Sequence, residues 1–507
     1  MIDFTPFSRP LFAPRVRAAQ KWIGHTRDVQ MSQLRYLLSQ CVSTVIGERH
    51  HARKIKSYED FRHNFPVVSY EDIHDDIMRM VMGEKDILWP GRCKRFAQSS
   101  GTSDGKSKYI PVTDDVLSRN HYAGGRDVVA HYLNLNPGSR IFSGKSFILG
   151  GSYANEVSHL PADVRVGDLS ANLIDKINPL ANLLRIPSKK VALMVDWHDK
   201  LPALVKASLH ENVTNISGVP SWFMTVIREV IKAAGADTIH DVWPNLEVFF
   251  HGGISFEPYR TQYMSLTDPS KMHYLETYNA SEGFFAVQSS LDSTAMLLLL
   301  DIGVFFEFVP LDGLEDPQHS AIPAWQLEQG KTYALVISSC NGLWRYMIGD
   351  TVTVKSIDPL KISIAGRTKH FINAFGEEVM VHNSDAAIAK ACAATGATVL
   401  NYTAAPVYDD GGHRGHHQWL IEWAERPADV ETFAEELDNA LQSVNSDYQA
   451  KRSGSIFLDR LTIDEAPGGL FDRWLASTGK LGGQRKVPRL SNDRRIIEQM
   501  LAIKETY

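Results

Sequence analysis

Residues 98–111, Gln98-Ser-Ser-Gly-Thr-Ser-Asp-Gly-Lys-Ser-Lys-Tyr-Ile-Pro111, put five serine or threonine hydroxyls, two glycines and two lysines into one short run. Glycine lets backbone amides approach an anion closely, and short hydroxyls supply further donors. The lysines add positive charge. Between apolar flanks, a run of this chemistry reads as a loop that holds phosphate. A plain polar linker is the alternative, and the density of donors argues against it.

The competing architecture is a P-loop, GxxxxGK[ST]. Here Gly101-Thr-Ser-Asp-Gly105-Lys106-Ser107 is one residue too short for it. Leu297–Leu300 followed by Asp301 does imitate the acidic strand that such sites carry. A P-loop, however, must open a helix whose N-terminus faces the phosphates. Lys108-Tyr-Ile-Pro111 reads instead as extended chain, and Pro111 would break a helix in its first turns. The hydroxyls also begin before the first glycine, where a P-loop does not need them.

The chain has 507 residues, 44% of them hydrophobic, enough for a large core and for about three domains or one large and one smaller domain. A net charge of −6 gives no general attraction to nucleic acid or to an anionic membrane surface, and the basic run Arg92-Cys-Lys-Arg95 reads as a solvated loop. Cys41, Cys93, Cys340 and Cys392 lie far apart, without a CxxC pair. They read as reduced thiols of a cytoplasmic protein. The first residues lack the charged and apolar regions of a signal peptide. The apolar run Ala295–Leu300 stops at Asp301, too short to span a membrane.

Residues 17–50 and 114–133 read as helical, the second with Thr113 as N-cap and acidic residues in its first turn. Short apolar runs at Phe147–Leu149, Val191–Val195 and Leu246–Phe250 alternate with helical segments, which predicts an α/β core with a largely parallel sheet. After residue 284, Met296–Leu300, Val304–Val309, Thr332–Ser338 and Thr351–Lys355 read as antiparallel strands. Helices return near 383–394 and 428–445, which puts a domain boundary at Lys369–Gly376, where the flanking glycines suit a hinge. His413, His416 and His417 match no structural zinc spacing and read as part of an exposed hairpin loop.

The phosphate-loop stretch resembles that of the Gretchen Hagen acyl-acid amido synthetases, an auxin-responsive family with bacterial relatives inside the adenylate-forming superfamily of acyl-CoA synthetases, adenylation domains and luciferases. The resemblance begins at FRHNFPVVSYEDIHDDIMRMVMGE (61–84). It continues in family order through SGVPSWFMTVIREV (217–230), HGGISFEPYR (251–260), YLETYNASEGFFA (274–286), LWRYMIGD (343–350), GRTKHFINAFGEEV (366–379) and GQRKVPR (483–489). It implies an α/β fold with a large N-terminal domain, residues 1–372, of sheets flanked by helices with a β-barrel-like antiparallel part. A small mobile C-terminal α+β lid domain, residues 373–507, follows.

The resemblance also implies roles. Ser99, Ser100, Gly101, Thr102, Ser103 and Lys108 would hold the phosphates of ATP. Gly252 and Gly253 would line the adenine pocket and Tyr278 would stack on the base. Ser281 would bond a phosphate, and Glu282 would ligate Mg2+, a hard cation that prefers carboxylate oxygen. Asp350, helped by Arg367, would accept hydrogen bonds from the ribose hydroxyls. Lys486 would stabilise charge developing at the reacting carboxylate and α-phosphate, and Lys369 would be the hinge that lets the small domain deliver it. Apart from the resemblance, an acyl pocket should be apolar with one cationic or polar group, which makes Val219, Trp222 and Phe223 at a helix start candidates for its wall and Arg119 or Arg126 for the partner of the acid's carboxylate; the plant enzymes' pattern does not align cleanly with this chain there. Taken singly, these residues read equally as ordinary structure: Tyr278 or Phe223 as core aromatics, Asp350 as a turn residue, Lys486 as part of a solvated basic tail with Arg485 and Arg489.

The implied reaction joins a small carboxylic acid to an amine, expected to be an amino acid, through an acyl-adenylate, releasing pyrophosphate and AMP. ATP and Mg2+ are the expected cofactors, with no nucleic-acid or membrane partner. The alternatives are an acyl-CoA ligase sharing the first half-reaction, a P-loop NTPase or kinase, and a nucleotide-binding protein without turnover.

Overall fold

The computed structural model describes residues 3–99, 108–153, 157, 159–253, 256–367, 371–372, 374, 377, 379–408, 415–445, 448–449, 452, 458–478, 487–491 and 493–505. The chain forms two compact units. The first comprises Met1–Ile348 with Val352–Ser363, the second Gly349–Thr351 with Ile364–Tyr507. Among the described residues no helix is long and apolar enough to cross a membrane.

In the first unit a hairpin of β1 (Arg95–Ser99) and β2 (Lys108–Pro111) joins β4 (Arg165–Gly167) in a three-stranded sheet. The remaining strands of the unit belong to one large sheet, which has twelve strands among the described residues. Its parallel half runs through β5 (Arg185–Ile186), β3 (Lys145–Ile148), β6 (Val213–Gly218), β7 (Val248–Gly252) and β8 (His273–Ala280). β7 is buried throughout and β6 from Val213 to Ile216, mostly apolar or β-branched with Asn215 and His251 among them, as in strands covered on both faces. Helix Pro220–Ala234 packs Phe223, Val226, Ile227 and Val230 against this half, beside Phe147, Phe249 and Trp243.

At β8 the direction reverses. β9 (Gly283–Gln288) and β10 (Met296–Leu298) continue antiparallel, and β10 pairs antiparallel with β15 (Leu360–Arg367). Then come β14 (Tyr346–Ile357), β13 (Thr332–Ser339), β11 (Val304–Pro310) and β12 (Ile322–Pro323), with β11 antiparallel to both its neighbours. The antiparallel strands expected after residue 284 are present and extend the parallel half. The expected strand at Val191–Val195 is not: Ser188 caps a short helix, Lys189–Ala192, and β3 takes Arg185–Ile186 as its neighbour instead. A five-residue apolar run carries too little periodicity to separate the two outcomes.

The helix expected over 114–133 forms, with the Thr113 hydroxyl accepting from the Val116 amide at 3.0 Å. It passes through a π-helical stretch, Val116–His121, before continuing as Tyr122–Leu135. The bulge faces Asn120 inward, where its side-chain amide bonds the backbone of Phe284 in both directions, at 2.9 and 2.6 Å. One turn on, Gly124 lies so close to Phe284 that a Cβ would sit 2.3 Å from its ring.

A buried ion pair ties the amino-terminal helices to the antiparallel half. Arg345, with a left-handed φ of 42°, donates to Glu307 at 2.9–3.1 Å, and both side chains have 0% exposure. Tyr58 donates to the same carboxylate at 2.9 Å, and the other arm of Arg345 donates to the carbonyls of Arg62 and Phe65.

The second unit is α+β. It holds a short antiparallel pair, β16 (Phe371–Ile372) with β17 (Val379–Met380). A three-stranded sheet of β18 (Thr398–Tyr408), β19 (Gly415–Glu425) and β20 (Thr462–Ala466) carries its core. Helices Val381–Thr395 and Val430–Val444 cover one set of core residues, including Ile388, Trp419, Phe433 and Leu437.

Replacing Arg345 with Met leaves the Glu307 carboxylate buried without its guanidinium, a change that costs about 3–5 kcal/mol. The expected result is a urea midpoint for the first unit's unfolding well below that of the native chain, read by tryptophan fluorescence.

Candidate active site

The ends of the parallel strands organise this region, because in open α/β sheets ligands gather beyond the carboxyl ends of the strands. β7 ends in Gly252, followed by Gly253 at φ 80°. Gly252 pairs with Thr277 of β8 so closely that a Cβ would lie 2.5 Å from the Thr277 carbonyl oxygen. β6 ends at Gly218, and Val219 is the residue that caps helix Pro220–Ala234.

β8 carries Tyr278 and β9 begins at Gly283, so Ser281 and Glu282 are the two-residue turn between them. Tyr278 is buried, its ring edge-on to Phe285 at 5.0 Å. Glu282 is also buried. Asn341 fixes the turn by donating to the Glu282 carbonyl at 3.0 Å, and Asn120 fixes the first residues of β9. The structure thus brings Gly252, Gly253, Tyr278, Ser281 and Glu282 to adjacent strands of one sheet.

The hairpin β1–β2 pairs Phe96 with Pro111, Ala97 with Ile110, Gln98 with Tyr109 and Ser99 with Lys108. Residues 100–107 therefore join two antiparallel strands rather than opening a helix. Ser100, Gly101, Thr102 and Ser103, and the Ser99 side chain, lie outside the described residues. Lys108 is described, its Nζ 3.3 Å from the Tyr346 hydroxyl. The imitation of a P-loop's acidic strand dissolves as well: β10 sits between two antiparallel neighbours, and Asp301 pairs with Arg15 at 2.7 Å.

Phe223 lies in the core against Phe147 and Phe249, with 0% exposure, so any open wall here belongs to Val219 and the half-buried Trp222. Arg119 stacks over Tyr36 at 4.4 Å and pairs with Asp115 at 3.6 Å, while Arg126 is exposed on its helix.

In the second unit, Asp350 is buried on β14 behind Gly349. Arg367 ends β15, with its side chain outside the described residues, as are Lys369 and Lys486. The segment that follows Lys486 is described and is no solvated tail. Leu490 bridges Ala404 on β18, the Ala404 amide donates to the Arg489 carbonyl at 2.8 Å, and the Ser491 amide donates to the Ala404 carbonyl at 3.1 Å. Arg489 pairs with Asp385, which also accepts from the Tyr402 hydroxyl.

His417 departs from the exposed-loop expectation. It is fully buried on β19, with its Nε2 2.8 Å from Glu377. His413 lies outside the described residues, and among the described residues no three His, Cys, Asp or Glu side chains converge as a metal cluster.

Sequence reading missed Lys200. Burial pushes its ammonium down to about 8, against the pull of Asp168. It donates to the carbonyls of Gly150 at 2.7 Å, Met194 at 3.2 Å and Gly151 at 3.5 Å, fastening the loop beyond β3. The available signal was its place on the buried stripe of helix Trp197–Ser208, in line with Leu204 and Ser208. His251, just before Gly252, is buried against Phe256 at 4.2 Å, and burial pushes it down to about 3.

With a strand-to-strand phosphate-loop candidate beside a mixed sheet, family models decide the ancestry. The GH3 family N-terminal domain matches residues 16–272, the central domain 297–367 and the C-terminal domain 382–495. The chain belongs to the GH3 family. Among its relatives is the Arabidopsis thaliana indole-3-acetic acid-amido synthetase GH3.6, 23% identical over 93% of this chain and 90% of the relative. The probable indole-3-acetic acid-amido synthetase GH3.1 of the same plant is 22% identical, over 96% and 92%. Among solved structures, GH3.15 acyl acid amido synthetase superposes with a TM-score of 0.78 at 17% identity, covering 97% of this chain and 95% of that one. 2-Hydroxyisobutyryl-CoA ligase in its postadenylation state superposes with a TM-score of 0.59 at 12% identity, over 94% and 92%. The GH3 chain described here therefore has the α/β fold of the adenylate-forming ligases.

Gly252→Ala forces β7 away from β8 at the strand ends that carry Gly253 and the Ser281–Glu282 turn. Overpacking of this kind costs about 1–3 kcal/mol. The expected result is a lowered unfolding midpoint together with weaker binding of a fluorescent ATP analogue.

Proposed function

We propose that this GH3 chain is an ATP-dependent ligase that adenylates a small carboxylic acid and passes the acyl group to the amine of an amino acid. One observation carries the reading. The hydroxyl- and glycine-rich segment 100–107 connects two antiparallel strands, β1 and β2, in a chain of this family. That architecture supports an adenylate-forming loop and removes the basis for a P-loop kinase. The names of the GH3.6 and GH3.15 relatives, an amido synthetase for indole-3-acetic acid and one solved with 2,4-DB, support an acid as donor and an amide as product.

In this reading the carboxylate of the acid attacks the α-phosphorus of ATP. An acyl–oxygen–phosphorus bond forms, the bond to the β-phosphate oxygen breaks, and pyrophosphate leaves. Ser99, Ser100, Gly101, Thr102, Ser103 and Lys108 hold the phosphates, and Ser281 adds a donor. Gly252, Gly253 and Tyr278 receive the adenine, Asp350 and Arg367 the ribose. Lys486 meets the charge that develops at the reacting oxygens. Val219, Trp222 and Phe223 are assigned to the acyl side, with Phe223 as packing behind the other two. The amine then attacks the acyl carbon and AMP leaves. The same reading makes Lys369 a hinge between a large domain ending at 372 and a smaller one over 373–507.

Glu282 fits Mg2+: it is a buried carboxylate on a fixed turn, and this ion takes one or two carboxylates with phosphate oxygens and water rather than a full protein cage. When bound there, the ion offsets negative charge on the phosphates. We place the protein in the cytoplasm, in keeping with four cysteines that are all free thiols.

The test is ATP–pyrophosphate exchange across a panel of carboxylic acids, followed by product analysis with amino acids and with coenzyme A. Acid-dependent exchange and an amide product are expected. Release of ADP, or a thioester as the sole product, would overturn the reading. Lys486→Ala is expected to lower exchange by about 10²–10³-fold with ATP affinity retained.

A further inference from the structure

We infer that Asp385, acting through Arg489, is a positioning residue for Lys486: it fixes the chain from which the Lys486 side chain departs. The inference rests on the role proposed for Lys486 in the adenylation step. A lysine ammonium is a point charge on a flexible four-carbon stem, so where it can act depends on where its backbone is held. Directly after Lys486 the chain is held at five consecutive residues. Val487 packs on the core cluster that includes Ala405, Leu420, Leu470 and Phe471. The Pro488 carbonyl accepts from the Thr403 hydroxyl at 2.7 Å. The Arg489 carbonyl accepts from the Ala404 amide, Leu490 is wholly buried, and the Ser491 amide donates to the Ala404 carbonyl.

A main-chain pairing this short, around Ala404 of β18, does not set its own register. A slip of one residue would move the chain by about 3.3 Å and turn every side chain to the opposite face. Arg489 is what opposes the slip. Its guanidinium pairs with Asp385 on helix Val381–Thr395, and a shifted register would offer the buried place of Leu490 to Arg489 or Ser491. Asp385 is fixed in turn. It is buried and accepts from the Tyr402 hydroxyl, which lies 2.8 Å from the Ser384 hydroxyl. One carboxylate thus ties the segment to a helix and to a strand of the second unit. The same pairing commits Arg489 to structure and separates its task from that of Lys486, three residues earlier.

The variants are Asp385→Asn, Lys486→Ala and their combination, on the full chain, with the acid that gives the fastest ATP–pyrophosphate exchange. Asp385→Asn is expected to lower kcat for exchange by about 10–100-fold, the scale on which a misplaced group loses catalysis, with KM for ATP unchanged. In the Lys486→Ala background it should add nothing, because it acts only through the lysine. Amide formation from the synthetic adenylate of the same acid bypasses the step that Lys486 serves and should keep its rate. A merely structural role would slow both half-reactions, or add its full factor in the double variant, and either result overturns the inference. So does native exchange in Asp385→Asn when Lys486→Ala lowers it. If Lys486→Ala itself changes nothing, the proposed role of Lys486 falls and the positioning role with it. Hydrogen–deuterium exchange reads the lock without activity: residues 487–491 should lose protection about tenfold in Asp385→Asn while β19 keeps its own. Unchanged protection at 487–491 overturns the inference. Where Asp385→Asn does not fold, Arg489→Gln breaks the same pair from its half-buried side, with the same outcomes required.

Discussion

A carboxylate and a guanidinium held wholly out of water, Glu307 and Arg345, sit where the amino-terminal helices meet the antiparallel half of the sheet. Burying both charges carries a desolvation penalty of several kcal/mol per ion, so the pair adds little net stability over an apolar pair of the same shape. What it supplies is a fixed arrangement. Every arm of Arg345 is used, on Glu307, on the carbonyls of Arg62 and Phe65 and on Gln318, and Tyr58 completes the carboxylate. These bonds together hold residues 58–68 in place, and the left-handed backbone of Arg345 persists because they over-determine it. Val68 and Tyr346 leave this network already paired.

The same economy of fixed backbone recurs at the strand ends. Asn341 and Asn120 direct their amides to the main chain around Glu282, and Lys200 its ammonium to the loop beyond β3. Polar side chains that clamp backbone hold nearby functional groups to a fraction of an ångström, and a misplacement of about 1 Å can cost 10²-fold in rate. The two-residue turn between β8 and β9 fixes the backbone from which the Glu282 carboxylate projects.

Much of the fold was legible locally. The extended run at Lys108–Pro111, the N-cap at Thr113 and the antiparallel strands after residue 284 announce themselves through proline, hydroxyl and alternation signals. Val191–Val195 misled because a short apolar run fits a strand or a helical turn, and the Ser188 cap settled it. His417 misled because a polar, glycine-flanked string conceals which residue faces inward on β19. The candidate residues were legible by resemblance, but the groups that position them were not. Tyr70 lies 39 residues from Tyr109, Tyr346 lies 238 from Lys108, and Arg489 lies 104 from Asp385. Pairings at such separations leave no periodicity in the sequence. The first two emerge only when β14 and the β1–β2 hairpin, strands of two different sheets, meet at the first turn of helix Tyr70–Val81.

The buried bases near the strand ends bear on how the second half-reaction handles protons. A general base works best with a pKa near the operating pH. His251 is pushed down to about 3 by burial, so its imidazole is neutral but far too weak to draw a proton from an ammonium. Lys200 is closer to neutrality at about 8, yet its hydrogens are committed to the carbonyls of Gly150, Gly151 and Met194, and removing its proton would break that clamp. Both groups therefore serve packing and loop placement. What the described part of the first unit offers a reaction is donors, the Lys108 ammonium beside the Tyr346 hydroxyl and a buried carboxylate on a fixed turn, a set suited to stabilising anionic phosphate chemistry. An acyl-adenylate is activated enough that an acceptor amine arriving unprotonated needs positioning more than it needs a base, and positioning is what this architecture supplies.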